Sequence, residues 1–419
     1  MNRLSGEINE GQLASEQVAN SREAAARSNS RLKAFTVLNP EPFRSQPELP
    51  LDGLPIGVKD LYDTAQLETA YGSPIYQGHV PAKSAALVEK LCDLGAYVVG
   101  KTVTTEFAWR QAGATVNPYG TDRTPGGSSS GSAAAVAAGV VPLALGTQTF
   151  GSIIRPAAFC GIAGFKPSYG ALPLESVQPL SGTLDHAGYL AQTIELIRKV
   201  HGLVLGETIA APEGKTWTLR LVKGPWWEAA SQAQLDVVLE VAEFLRAQGV
   251  SVLEAELPET FNRCQALAET ILFHEAAEVY RPLIDQHGDL VSVHIKELVQ
   301  KGEELPEGTY QQALEERDAL IELLATEMEG FDGILSLPAL GEAPLMSEGT
   351  GNPGPCVAWT LLGVPTSTLP YSFGAAGMPL GIQLIGKRGA DFAHLDLSVA
   401  VEKLLVTKSH RRPVARKFA

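Results

Sequence analysis

Leu87, Val88, Leu91 and Leu94 fall on one face of a helix, and Gly95 follows them as a stop. The spacing predicts a helix over 84–94 and a buried strand over 96–99. The same helix–glycine–strand unit recurs twice. Leu235, Val238, Leu239, Ala242 and Leu245 line a helix face capped by Gly249, and 250–257 then alternates like a strand. A helix over 310–329, Gly330 and a strand over 334–337 form the third unit. Two more strands are expected at 366–369 and 381–385, and the first fifty residues begin helical before turning proline-rich between Pro40 and Pro50. Helices alternating with strands predict an α/β sheet covered on both faces. No repeat or linker interrupts residues 1–419, which predicts a single domain; 195–330, richer in charge and helical pattern, is expected to be a mostly helical elaboration within it.

Composition narrows the class. The 419 residues are 45% hydrophobic and 19% charged, ordinary for a globular chain. Net charge is −14, and an acidic surface repels phosphate backbones, so nucleic acid is not an expected partner. Cys92, Cys160, Cys264 and Cys356 lie far apart without a CxxC pair, so four buried thiols in a reducing cytosol are expected rather than a zinc site or disulfides. The start, MNRLSGEINEGQ, lacks the apolar core of a signal peptide. The most apolar stretch, 133–145, is short for a membrane span and is broken by Gly139 and Pro142. A soluble cytoplasmic protein without membrane contact is expected.

Residues 125–170 read PGGSSSGSAAAVAAGVVPLALGTQTFGSIIRPAAFCGIAGFKPSYG. A Gly/Ser loop feeding a helix exposes backbone N–H groups and suits an anion. A P-loop, however, needs GK[ST], whereas Gly131 is followed by Ser132 and Ala133, and no GxGxxG is present. The second chemistry is nucleophilic: a serine needs a base to take its proton. No GxSxG elbow occurs, and of the eight histidines only His186 lies near this stretch. A lysine serves as base where burial lowers its pKa. Lys59 follows the apolar run 54–58; alone, it reads as an exposed lysine at a strand end.

These residues bring a family into view. The chain resembles the amidase signature family of Ser-Ser-Lys amide hydrolases. The family's GGSSxGSAAAVAAG pattern stands at 126–139, its GT-x-T-x-GS-x-x-x-P segment at 146–156 and its CGxxGxKPxxG tail at 160–170. IxVKD is 56–60, GKTxxxEFA is 100–108, and the C-terminal GxPxxxLP and GxPxGxQLIG elements are 363–370 and 377–386. The resemblance implies an amidase-signature fold with a central mixed, twisted sheet. It also implies Ser152 as nucleophile, Ser128 as a proton relay behind a cis peptide bond, and Lys59 as base. Backbone N–H groups of Thr149, Phe150, Gly151 and Ser152 would form the oxyanion hole. Ser129 is placed to hydrogen-bond near the lysine, as in relatives.

Three departures stand out. Many relatives have DTGGS where this chain has Gln148-Thr149-Phe150-Gly151-Ser152, a glycine of SSGGS is replaced by Ser130, and Arg155 stands one residue later than in SIR-x-P. The expected activity is hydrolysis of a carbon–nitrogen bond in a small amide, urea-like compound or carbamate by a stand-alone amidase. The alternative is the A subunit of a glutamine-dependent tRNA amidotransferase. The triad argues against the family's non-catalytic receptors. Proximity to motif positions makes Tyr62, Gln148, Phe150 and Trp359 substrate-pocket candidates, while Trp226 and Trp227 read as packing residues. No His/Cys/Asp cluster has ligand spacing, so neither metal nor cofactor is expected. A homodimer is compatible with the sequence.

Overall fold

The structure, a computed structural model, describes residues 10–207 and 214–408. Among them the strands are β1 (Phe35–Leu38), β2 (Pro55–Lys59), β3 (Tyr97–Thr102), β4 (Leu143–Gln148), β5 (Ala163–Lys166), β6 (His186–Ala191), β7 (Thr218–Leu221), β8 (Ser251–Glu254), β9 (Gly333–Ser336), β10 (Thr366–Phe373) and β11 (Pro379–Ile385). They form one sheet in the order β1-β3-β2-β4-β6-β5-β10-β11-β9-β7-β8. The sheet is mixed: β3, β2 and β4 run parallel, as do β9, β7 and β8, and antiparallel pairs join these two groups through β6, β5, β10 and β11.

Side chains alternate across this sheet with period two. Val98, Leu143 and Leu145 face a core shared with the helices Ala86–Asp93, Ile194–Leu205, Gln232–Ala247 and Asp391–Lys408. Tyr97, Val99 and Ala144 face the other way, against Glu10–Leu32, Ser130–Ala137 and Ile154–Phe159. Helices therefore cover both faces, as the alternating pattern requires. A third cluster lies under Cys264–His287, Val293–Glu303 and Thr309–Glu327. The span 195–330 is mostly helical, but it also supplies β7 and β8 to the common sheet.

The three helix–glycine–strand units appear with shifted edges. Gly95, Gly249 and Gly330 all take positive φ, the left-handed turn that ends each helix. The strand expected over 250–257 is limited to Ser251–Glu254, and Leu253 is 52% exposed. As the last strand of the sheet, β8 has one partner, so alternation does not carry it further. Three of the four thiols are buried; Cys92, on the outer side of its helix, is exposed.

The helix Ser130–Ala137 is buried on every side, and its small residues let it lie directly on the sheet. Gly131 is where this matters most. A Cβ there would sit 2.2 Å from Ala34 O and 2.3 Å from Val103 N, both backbone atoms that cannot turn aside. Ser132 Oγ donates to Leu145 O at 2.8 Å and lies 2.7 Å from Thr102 Oγ1, fixing the helix to β3 and β4. Gly131→Ala is expected to destabilise the fold by about 1–3 kcal/mol, the usual cost of overpacking. Chemical denaturation measures it, and a wild-type midpoint would contradict the close approach.

Candidate active site

Lys59 ends β2, the middle of three parallel strands, and is fully buried. Its Nζ lies 2.7 Å from Ser128 Oγ, 2.8 Å from Thr147 Oγ1 and 3.4 Å from Thr147 O. Burial holds its pKa well below the ordinary 10.5, and the charge of Asp185 opposes this more weakly. The neighbouring Asp60 does not serve as its counter-ion. Asp60 is 3.4 Å from Lys101, which also donates to Tyr62 O and Thr69 Oγ1. The exposed strand-end lysine that local sequence suggests is thus a fully enclosed one.

Ser128 follows a cis peptide bond from Gly127. Arg155 Nη2 donates to Gly127 O at 2.7 Å, and Thr105 N donates to Ser128 O at 3.3 Å. Ser129 N donates to Ser152 O at 3.3 Å, tying the two serine segments together. Ser129 Oγ lies 3.3 Å from both Thr147 N and Thr147 O, so it meets the lysine's partner rather than the lysine.

The turn carrying Ser152 is held from behind. Gln148 Oε1 accepts from Ile153 N and Ile154 N at 2.9 and 3.0 Å, and its Nε2 donates to Thr360 Oγ1 at 2.9 Å. Thr360 Oγ1 in turn donates to Phe150 O at 2.9 Å. Thr149 Oγ1 donates to Asp185 Oδ1 at 2.5 Å, and Asp185 Oδ2 accepts from Leu180 N and Ser181 N at 2.8 and 3.1 Å. Burial pushes the Asp185 pKa up to about 6. Among the described residues, no protein acceptor takes the backbone N–H of Thr149, Phe150, Gly151 or Ser152.

Ser128, Ser152, Thr149 and Phe150 line one cleft of about 1170 Å³. Phe150 packs edge-on against Trp109, ring centroids 6.0 Å apart, so one side of the ring borders the cleft and the other joins the core. The other three pocket candidates lie elsewhere. Tyr62 is fully buried, donating to Gly146 O at 2.8 Å. Gln148 is the internal brace just described. Trp359 borders a smaller neighbouring cavity of about 380 Å³, while Trp226, read as a packing residue, borders both. His186 is buried with Nδ1 2.7 Å from Leu184 O, and His294 borders the cleft beside Glu297, 4.0 Å away. Among the described residues no three His, Cys, Asp or Glu side chains cluster as metal ligands, and no helix is long and apolar enough to cross a membrane.

Thr147, Asp185 and Thr360 were not foreseen. Thr147 shares the strand with Gln148, and period two puts adjacent residues on opposite faces. Asp185 and Thr360 come from segments far along the chain, and only folding brings them to the site.

The chain is 30% identical over 421 residues to the A chain of glutamyl-tRNA(Gln) amidotransferase from Symbiobacterium thermophilum, spanning 86% of this chain and 84% of that protein. It is 31% identical over 396 residues to the protein of that name from Rhodopirellula baltica, spanning 80% and 79%. A crystal structure described as an amidase superposes with a TM-score of 0.83 at 29% identity, covering 93% of this chain and 96% of the other. The amidase family model matches residues 14–395, and the chain belongs to the amidase family.

Proposed function

We propose that this protein hydrolyses an amide carbon–nitrogen bond through an acyl-enzyme on Ser152, with Ser128 as relay and Lys59 as base. The observation that carries this is Lys59 Nζ, sealed from water 2.7 Å from Ser128 Oγ, in a cleft that Ser152 shares. A neutral amine uses all its valences there. Its lone pair accepts from Ser128, and its two N–H bonds point to the hydroxyl and carbonyl of Thr147. Ser152 Oγ attacks the carbonyl carbon as its proton passes to Ser128 and the Ser128 proton passes to Lys59. The carbonyl electrons move onto oxygen, facing the unused N–H groups of 149–152. As the C–N bond breaks, the proton returns through Ser128 to the leaving nitrogen. Water then attacks the ester by the same route, releasing the acid and restoring Ser152.

Two settings fit this chemistry. One is a free amidase acting on a small amide, urea or carbamate, as the sequence suggested. The other is the A subunit of a tRNA amidotransferase, in which glutamine supplies the amide and partner chains and tRNA belong to the assembly. The relatives bearing that name, each aligned over about four-fifths or more of this chain, favour the second. Assay of p-nitroanilides, small amides, ureas, carbamates and glutamine, with and without the other amidotransferase chains, separates them. Turnover of simple amides by the chain alone supports the free enzyme; glutamine hydrolysis only with partners supports the amidotransferase.

Ser152→Ala is expected to remain folded and to lose several orders of magnitude in kcat/KM. Retention of more than about one per cent would reject the nucleophile. For Lys59 the sign follows from the base being the neutral form. Below its depressed pKa the amine is charged and cannot accept a proton, so kcat/KM should rise with pH and level off on the alkaline side. Lys59→Arg should not rescue activity, because a guanidinium stays charged. An arginine variant near wild type would show that a fixed cation suffices. Asp185→Asn should lower kcat by loosening Thr149 and move the acid limb to lower pH, since the Asp185 charge favours the lysine cation. An acid limb that stays put would remove Asp185 from the electrostatics of the base.

A further inference from the structure

Glu275 sits on the helix Cys264–His287, away from the cleft, and is 7% exposed. Among the described residues no cation forms an ion pair with it. A buried carboxyl is costly unless it is paired or fully hydrogen-bonded, so the groups that fill this one are informative. Oε1 accepts from Thr183 Oγ1 at 2.7 Å and from the Tyr310 hydroxyl at 2.8 Å. Oε2 accepts from Thr183 N at 3.1 Å and from Ser181 Oγ. All but the Tyr310 hydroxyl come from the single short segment 181–183. Asp185 grips the same segment from the other side: Ser181 N and Leu180 N donate to its Oδ2, and Thr149 Oγ1 donates to its Oδ1. Ser181, fully buried, is therefore shared by two carboxyls, its hydroxyl going to Glu275 and its N–H to Asp185. Tyr280, on the helix of Glu275, adds a second tie by donating to Pro179 O.

We propose that Glu275 is a positioning residue for the turn 149–152: by holding 181–183 it fixes Asp185, and through Asp185 it fixes Thr149. The mostly helical span 195–330 then takes part in stabilising the transition state without touching substrate. The proposal rests on the amide-hydrolase reading of the cleft and deepens it. The path is continuous, Glu275 to Ser181 to Asp185 to Thr149, and each link is a hydrogen bond between buried groups. A carboxylate has about four acceptor sites, and the four donors to Glu275 fill them, so the segment is held in one orientation rather than merely attracted. Backbone N–H groups stabilise a developing oxyanion only where they are already aimed at it, so a brace of this kind acts on the transition state more than on the bound ground state. A direct electrostatic role at the base fits less well. The charge that Lys59 feels is that of Asp185, while the charge of Glu275 acts on Asp185, raising its pKa.

A double-mutant cycle tests this, read by the rate at which a fluorophosphonate labels Ser152 and by hydrolysis of p-nitroacetanilide, each per site labelled at completion. In Glu275→Gln the saturating labelling rate should fall about tenfold, the scale of one charge-assisted hydrogen bond, while the half-saturating probe concentration stays within about twofold. Asp185→Asn together with Glu275→Gln should be no slower than Asp185→Asn alone, because the second change acts only through the first. Losses that multiply in the double variant overturn the proposal. So does a Glu275→Gln protein that melts lower and labels fewer sites but reacts at the wild-type rate at each, the result of a merely structural role. Ser181→Ala leaves the charge of Glu275 in place and breaks the shared hydroxyl, so it should reproduce the loss, and it serves equally where Glu275→Gln does not fold; a wild-type rate in Ser181→Ala also overturns the proposal. Labelling that follows the cycle without amide turnover would reject the hydrolase reading and leave the role of Glu275 standing, whereas a wild-type protein that does not label at Ser152 rejects the nucleophile and the proposal with it.

Discussion

A lysine enclosed at the end of a parallel strand is the constraint on which the site rests. An ammonium ion taken from water into a protein interior loses several kcal/mol of hydration unless a counter-charge restores it. Three fully buried lysines meet this differently. Lys101 has Asp60 at 3.4 Å, and burial lowers its pKa only to about 8. Lys166 has the carbonyls of Val364 and Pro167 at 2.7 and 3.0 Å and falls to about 7. Lys59 has hydroxyls and one long carbonyl contact, with the Asp185 charge opposing burial more weakly, and it is held well below its ordinary value. Giving Asp60 to Lys101 therefore suits the base proposed for Lys59: a carboxylate beside it would keep it protonated.

Close packing preserves that environment. The serine-bearing helix reaches β3 and β4 because its first turn is made of serine and glycine, and backbone lies against backbone at Gly131. At Gly146 a Cβ would meet Leu190 Cδ1 at 2.6 Å and Ser129 Oγ at 2.9 Å, the hydroxyl that seats Thr147. Small residues in 125–170 thus do two things that sequence alone could not separate. They form the loop that carries two serines, and they bring it near enough to the sheet to exclude water from the lysine.

The helix–glycine–strand units were legible because periodicity and a left-handed glycine are both local signals. Ser128, Ser152 and Lys59 were legible as candidate positions through motif resemblance, and the base role this implied for Lys59 carried its burial with it, although nothing in 54–60 itself records that β3 and β4 enclose its end. The pocket candidates show the limit of proximity along the chain. Tyr62 is three residues from Lys59, yet the turn after β2 directs its hydroxyl to Gly146 O. Gln148 adjoins the serine turn but faces inward, to the helix Gly354–Leu361 through Thr360. Trp359 shares that helix with Thr360 and, one position away, opens onto the other cavity. In each case a rotation of about 100° per helical residue, or 180° per strand residue, separates bracing the site from lining it.

The departures at 148, 154 and 155 make sense together. The related pattern has an acidic residue at 148 and an arginine at 154; here both positions are uncharged. Gln148 supplies a neutral carbonyl oxygen to Ile153 N and Ile154 N and a neutral amide to Thr360, so the turn is braced without a cation. Ile154, freed from any charge to balance, packs fully buried with Ile153 and Ala157 among the helices behind the sheet. The positive charge reappears one residue later, where Gly127 O and Thr350 Oγ1 hold it and, among the described residues, no carboxylate pairs with it. A neutral brace at 148 and a guanidinium bordering the cleft at 155 thus flank the turn that carries Ser152. An acid at 148 would keep acceptors for Ile153 N and Ile154 N but lose the N–H that Gln148 Nε2 donates to Thr360 Oγ1, so the neutral amide is what ties the serine turn to the helix Gly354–Leu361.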